Sequence, residues 1–76
     1  MEKSHENRLK QLGLSIAYYR KLKGLNQDQL AEAIGMSRTH VSNIEAPNVA
    51  TSISLETLFA IADVLDVEPS QLLELR

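Results

Sequence analysis

The sequence predicts an all-α domain, and two of its features carry that prediction. Apolar residues recur at steps of three and four in five separate segments, which is the spacing of amphipathic helices. No segment alternates apolar and polar residues in the way a half-buried strand does. A chain of 76 residues that is 43% hydrophobic can bury one small core, so we expect residues 1–76 to form a single compact domain.

The first helix is predicted over about residues 6–23. Its inward stripe follows helical steps through Leu9, Leu12, Ile16 and Tyr19. Gly24 is expected to end it, because glycine readily adopts the left-handed conformation of a C-cap.

Two short helices are predicted next, over about residues 27–34 and 38–46. Asn26 can cap the first of them while Gln29, three residues on, reaches back to the cap, and Ser37 can cap the second.

Pro47 stops the third helix, since the residue before a proline is pushed out of the α region. After a loop, helices are predicted over about residues 54–65 and 69–75. Ser54 caps the fourth helix, and Pro69 stands in the first turn of the fifth, where its missing N–H is harmless. The fourth helix is expected to turn five side chains inward: Leu55, Leu58, Phe59, Ala62 and Leu65.

The break between the second and third helices has a packing explanation. Ala31 is small where two helices must approach closely, and Gly35 frees the turn from side-chain clashes. Val41 and Ile44 can then pack the third helix across the second, which makes a helix-turn-helix.

The segment "LNQDQLAEAIGMSRTHVSNIE", residues 25–45, resembles the phage repressor and Cro family of helix-turn-helix DNA-binding proteins. It has the family's Gln-x-x-Leu-Ala, central Gly and closing Ile-Glu, and "SLETLFAIADVLDVEPSQLL" is similar to the family's last helix pair. The resemblance covers roughly residues 9–73 and implies a five-helix, lambda-repressor-like domain. It also implies transcriptional regulation by operator binding, in our reading by a repressor. Because one recognition helix reads only a few base pairs and the chain carries little positive charge, we expect a dimer on an inverted repeat in double-stranded DNA. One departure concerns the glycine usual after the third helix, which "EAPN" replaces.

The outward side of the third helix is the predicted base-reading surface, and it comprises Arg38, Thr39, Ser42 and Asn43. Arginine can bond guanine O6 and N7 bidentately, asparagine can do the same to adenine, and a threonine methyl can contact thymine. An ordinary solvated helix face would carry the same residue types, so periodicity leaves both interpretations open and the resemblance favours base contact.

Four residues are predicted to contact the DNA backbone: Lys23, Asn26, Gln27 and Asn48. The resemblance places Gln27 on a phosphate and against the recognition helix, while free N–H groups at the start of the second helix favour anions. The alternatives are plain helix capping for Asn26 and Gln27 and simple solvation for the lysine.

The charge distribution requires any such contact to be local. The formal charge is −2, but residues 1–24 carry +4 and residues 25–76 carry −6. A basic edge rather than the whole surface would therefore meet DNA.

Arg20 and Glu45 are predicted to form a buried ion pair. Arg20 falls on the same helical face as Leu9 and Ile16, and Glu45 lies beside Ile44. The resemblance implies that the two side chains tie the first helix to the recognition helix. In the alternative, Arg20 extends along its alkyl stem to solvent.

Surplus apolar positions suggest two dimer surfaces. The fifth helix, with Leu72, Leu73 and Leu75, ranks first, and a stripe on the first helix ranks second: Leu14, Tyr18 and Leu22. In the alternative, Leu14 and Leu22 are singly exposed residues, or the fifth helix covers them.

Other functional classes find little in the sequence. There is no cysteine, the two histidines are isolated, and no nucleophile and base stand at a catalytic spacing, so we expect neither an enzyme nor a bound metal or cofactor. No apolar run approaches the length of a membrane span or the pattern of a signal peptide, which predicts a cytoplasmic protein. No small-molecule site is evident in the sequence. The competing hypothesis is a protein-interaction module, such as an antitoxin or corepressor subunit, built on the same helix-turn-helix.

Overall fold

The computed structural model describes residues 3–74, with side chains from residue 5 onward. Within that range the chain is all-helical with no strand, which confirms the predicted fold class. The five helices are α1 (Lys3–Leu22), α2 (Gln27–Ile34), α3 (Arg38–Glu45), α4 (Leu55–Leu65) and α5 (Pro69–Leu73).

The ends of α2 are set by local signals. The Asn26 side chain accepts a hydrogen bond from the backbone N–H of Gln29, and the Gln29 side chain accepts one from the backbone N–H of Asn26. Gly35 closes the helix at φ +72°, a left-handed conformation that costs a side-chain-bearing residue energy. This turn lets α3 begin three residues after Gly35, under the cap of Ser37.

The core is one cluster to which every helix contributes. It consists of Leu12, Ile16, Leu30, Ala31, Val41, Ile44, Leu58, Ile61, Ala62, Leu65 and Leu72. Because α2 and α3 pack against each other and α3 also packs against α1, the helix-turn-helix is held from behind by the first helix.

The prediction that Leu55 and Phe59 face this core is wrong. Leu55 is 67% exposed and Phe59 is 50% exposed. The buried side of α4 centres on Leu58, Ile61 and Leu65, and Phe59 lies about 100° further round the helix than Leu58. Leu55 is the first residue of α4 and is the more exposed of the two.

Candidate nucleic-acid interface

α3 has one buried side and one polar side. Val41 and Ile44 are almost completely buried against the other helices. The outward side carries the four residues predicted to read bases, and all four are exposed: Arg38, Thr39, Ser42 and Asn43. At about 100° per residue these four positions span about 140° of the helix circumference, so they form one continuous polar surface. We call this set the outer face of α3.

The position of α3 is fixed at its C-terminal end by a buried ion pair. Arg20 Nε lies 2.8 Å from Glu45 Oε2, and Arg20 Nη2 donates to Glu45 Oε1 at 2.9 Å. The remaining guanidinium nitrogen, Nη1, donates to the Leu25 carbonyl oxygen at 2.8 Å. Arg20 is only 8% exposed and Glu45 6%, so the structure brings these two residues together and does not extend Arg20 to solvent. The pair joins α1 to α3.

Gln27 belongs to the same network. Its Nε2 donates to Glu45 Oε1 at 3.0 Å, so the first residue of α2 braces the last residue of α3. A side-chain amide carries two N–H groups, and the second one remains available for an oxygen acceptor such as a phosphate. Gln27 can therefore brace α3 and contact DNA at the same time.

Asn26 combines its two predicted roles in a comparable way. Its side-chain oxygen caps α2 by accepting from Gln29 N at 2.8 Å, which leaves the amide nitrogen of the side chain as a donor. Capping of α2 by Asn26 is therefore compatible with its predicted contact with the DNA backbone.

A cleft of about 440 Å³ lies between α1, the start of α2 and α3. Lys21, Gln27 and Ser42 all line it, so an amino group, an amide and a hydroxyl converge there. The sequence-based set of backbone contacts contained Lys23, which is exposed and does not line this cleft. Of the two lysines that precede α2, Lys21 is the one that lines the cleft, and contact of either lysine with DNA stays a prediction.

The loop after α3 explains why the chain dispenses with a glycine there. Ala46, the C-cap residue, has φ −66° and ψ 127°, an extended conformation open to any residue. The Thr51 hydroxyl donates to the Asn43 carbonyl oxygen at 3.1 Å and so satisfies one of the last carbonyl groups of α3. Asn48 is exposed in the turn that follows.

Gly13 is a residue that the sequence analysis missed. It lies in the middle of α1 and is buried, and a Cβ atom added there would overlap the backbone carbonyl oxygen of Ile44 in α3. Glycine therefore permits the close backbone approach of α1 and α3. A glycine inside an otherwise regular helical pattern was the available signal.

Arg38 has an acidic neighbour. Its Nε lies 3.6 Å from Oδ1 of Asp28 in the first turn of α2, and the two side chains are 66% and 71% exposed. This contact links the two helices at the N-terminal end of the outer face.

The structure removes one residue, Leu72, from the predicted dimer surface. Leu72 is completely buried in the core because α5 packs against α1 and α4, so it cannot meet a second copy. Leu73 is 52% exposed, and Leu75 lies outside the described residues. The side chains of Leu14, Tyr18 and Leu22 on α1 are exposed, and so are Leu55 and Phe59 on α4.

Over the described residues, no helix combines the length and apolar character that crossing a bilayer requires.

Comparison with known proteins places these features in a family. The helix-turn-helix family model matches residues 16–72. The chain is 38% identical over 63 residues to the HTH-type transcriptional regulator SinR of Bacillus subtilis, a match that spans 83% of this chain and 56% of SinR. The chain thus covers little more than half the length of this curated relative.

Solved structures agree with the sequence match. A crystal structure of SinR, described as the master regulator for biofilm formation and solved in complex with DNA, superposes with a TM-score of 0.75 at 38% identity. That superposition covers 83% of this chain and 98% of the SinR chain. The restriction-modification controller protein C.AhdI from Aeromonas hydrophila gives a TM-score of 0.76 at 33% identity, over 84% of this chain and 94% of that one.

Proposed function

Since the chain belongs to the helix-turn-helix family of Cro and phage repressor type, we propose that it is a transcriptional regulator that binds a specific site in double-stranded DNA. The observation that carries this proposal is the outer face of α3, an exposed polar surface on a helix whose other side is locked into the core. A helix of this kind fits the major groove, where each base pair presents a distinct pattern of donors and acceptors.

The groups of the interface divide into two roles. The outer face of α3 reads base edges, with the Arg38 guanidinium matched to guanine and the Asn43 amide to adenine. The start of α2 and the cleft beside it hold the phosphate backbone through Lys21, Asn26 and Gln27, and Lys23 and Asn48 flank them. Because residues 25–76 carry a net charge of −6, binding depends on these local contacts and not on the overall field.

The protein acts as a repressor in this proposal, occupying an operator in the cytoplasm as a twofold dimer. One recognition helix reads only a few base pairs, and the chain has too few positive charges to compensate with phosphate contacts. The half-site centres are then about 34–36 Å apart, one turn of the double helix.

Leu55 and Phe59 now rank first as the dimer surface. They are exposed and lie one turn apart on α4. They belong to the same C-terminal helix pair as Leu72, which is buried and cannot serve. The stripe on α1 that contains Leu22 ranks second.

The test of the proposed function begins with recovery of bound sequences from random DNA. The affinity for the selected site is then measured at two or more salt concentrations, and it should fall by about 0.9 log units per log unit of salt for each neutralised phosphate. The matched pair Arg38→Ala and Gln27→Ala separates the two roles. Loss of Arg38 should weaken the selected site by about 1–3 kcal/mol and relax preference at one position, whereas loss of Gln27 should weaken all sequences about equally. Failure to enrich any sequence, or binding that is insensitive to salt, would contradict the proposal.

The dimer is tested separately by sedimentation and by operator spacing. Phe59→Glu should dissociate the dimer, while Leu22→Glu serves as the control that probes the competing surface. Insertion of about five base pairs between the half-sites should abolish tight binding, because it turns one half-site to the far side of the duplex. A monomer both free and on a single unrepeated half-site would rule the dimer out.

A second candidate function is a protein-interaction module, favoured by the exposed Leu55 and Phe59 and by the acidic C-terminal two thirds of the chain. The salt titration decides between the two, because counterion release from DNA produces a steep dependence that an apolar protein contact lacks.

A further inference from the structure

Asp28 stands beside the arginine that we assign to base reading, and a direct contact with DNA does not explain a carboxylate in that position. An acidic group next to a polyanion repels it, so Asp28 should weaken binding to every DNA sequence. An acidic residue in the first turn also stabilises a helix through the helix dipole. This effect explains an acid in the first turn of α2 but not its contact with Arg38.

The geometry of the contact suggests a specific use. Asp28 Oδ1 lies 3.6 Å from Nε of Arg38, which is an ion-pair distance and too long for a hydrogen bond. A guanidinium group has five N–H donors in a planar fork, so a carboxylate beside Nε leaves donors of the group that can engage guanine O6 and N7. From this arrangement we infer that Asp28 is a positioning residue that orients Arg38 toward a guanine of the operator. The inference rests on the proposed function and adds to it the residue that sets the strength of one base preference.

The environment of the complex strengthens this effect. In free solution both side chains are more than 60% exposed, and water screens their attraction. In the major groove the bases displace water around the pair, so the same charges attract each other more strongly. A held arginine also loses less conformational freedom when it meets the base, because part of that freedom is already lost in the free protein.

Two opposing effects make the inference testable. Asp28→Ala removes a repulsive charge and should leave binding to random DNA equal to or tighter than that of the wild type. The same substitution releases the guanidinium, so discrimination between guanine and another base at that position should fall by at least about threefold, out of the roughly 5- to 150-fold that a bidentate arginine contact supplies. A purely electrostatic or helix-capping role would alter both affinities together and leave their ratio unchanged.

The experiment measures affinities for the selected site and for the same site with its guanine replaced. Two control variants accompany Asp28→Ala. Glu32→Ala removes another exposed carboxylate of α2, one turn further along, and should leave the ratio at its wild-type value. Asp28→Asn removes the charge but keeps an oxygen that can accept from Arg38 Nε, so it should match Asp28→Ala on random DNA and retain more of the guanine preference.

The outcomes separate this inference from the proposed function. If no sequence is enriched, both fall. If Arg38→Ala loses the guanine preference while Asp28→Ala keeps the wild-type ratio, the positioning role is overturned and the DNA-binding function stands. A selected site without a guanine that depends on Arg38 also overturns the role of Asp28.

Discussion

Removal of the Glu45 carboxylate tests the internal bracing of the recognition helix. Glu45→Ala removes the acceptors of two Arg20 nitrogens and of Gln27 Nε2, while Arg20 keeps only the Leu25 carbonyl oxygen. Arg20 is 8% exposed, so its positive charge is left buried with no carboxylate. Breaking a buried pair in this way typically costs about 3–5 kcal/mol.

That loss is large for a chain of this length. At about 0.05–0.15 kcal/mol per residue, 76 residues correspond to a total stability of roughly 4–11 kcal/mol. Denaturant unfolding followed by circular dichroism should therefore show a strongly lowered midpoint with little change in slope. Because a loss of 1 kcal/mol lowers the Tm of a domain of this size by about 4–8 °C, thermal unfolding should begin at least about 12 °C lower.

Two further variants isolate the cause. Glu32→Ala removes an exposed glutamate of α2 and should change stability by less than about 0.5 kcal/mol. The double substitution Arg20→Met with Glu45→Met removes both charges and should recover most of the stability lost in Glu45→Ala, since an apolar replacement of a buried pair is often neutral. If the free energy of unfolding of Glu45→Ala lies within about 1 kcal/mol of the wild-type value, the ion pair does not stabilise the fold as a buried pair.

Three other predictions concern the helices and their ends. Gly13→Ala should destabilise the fold by about 1–3 kcal/mol in denaturant unfolding and weaken DNA binding in the same variant, because the added methyl group displaces the Ile44 backbone and with it α3; unchanged affinity for the selected site would show that α3 had not moved. Asn26→Ala should cost about 1 kcal/mol through loss of the α2 cap, and a wild-type midpoint would mean that Gln29 alone suffices there. Asp66→Gly should stabilise the protein by up to about 1 kcal/mol, since Asp66 closes α4 at φ +59°; a lowered Tm would indicate that the Asp66 side chain contributes more than its strained backbone costs.

Features determined by neighbouring residues were accessible from the sequence. The capping residues Asn26, Ser37 and Ser54 and the terminating Gly35 act within one turn of chain, and each acts in the structure where its pattern predicts. The ion pair was accessible for a different reason. A charge on an otherwise apolar helical face, such as Arg20, needs a partner wherever the fold buries it.

Features determined by how helices cross were not accessible. The periodicity of α4 and α5 locates an apolar arc on each helix but not the centre of that arc, which depends on the helices packed against it. Phe59 was therefore expected to be buried and is exposed, whereas Leu72 was expected to be exposed and is buried. The contact of Gly13 with Ile44 joins residues 31 positions apart. A glycine inside a helical pattern indicates a close approach at Gly13, but no local pattern identifies Ile44 as the partner. Asp66 carries a backbone conformation more typical of glycine or asparagine, so the sequence holds no strong signal for that turn.

The two ends of α3 are held in different ways, and the difference fits the work proposed for it. The C-terminal end is fixed by buried contacts: the Glu45 network, the backbone approach to Gly13 and the packing of Ile44. At the N-terminal end, which we propose enters the groove, Arg38 forms an ion pair with the solvent-exposed Asp28. Buried contacts fix the axis of α3 relative to the core, because any tilt would disrupt close packing. The exposed contact leaves the Arg38 side chain able to change its rotamer. Separate substitutions can therefore alter the position of the helix and the proposed base preference.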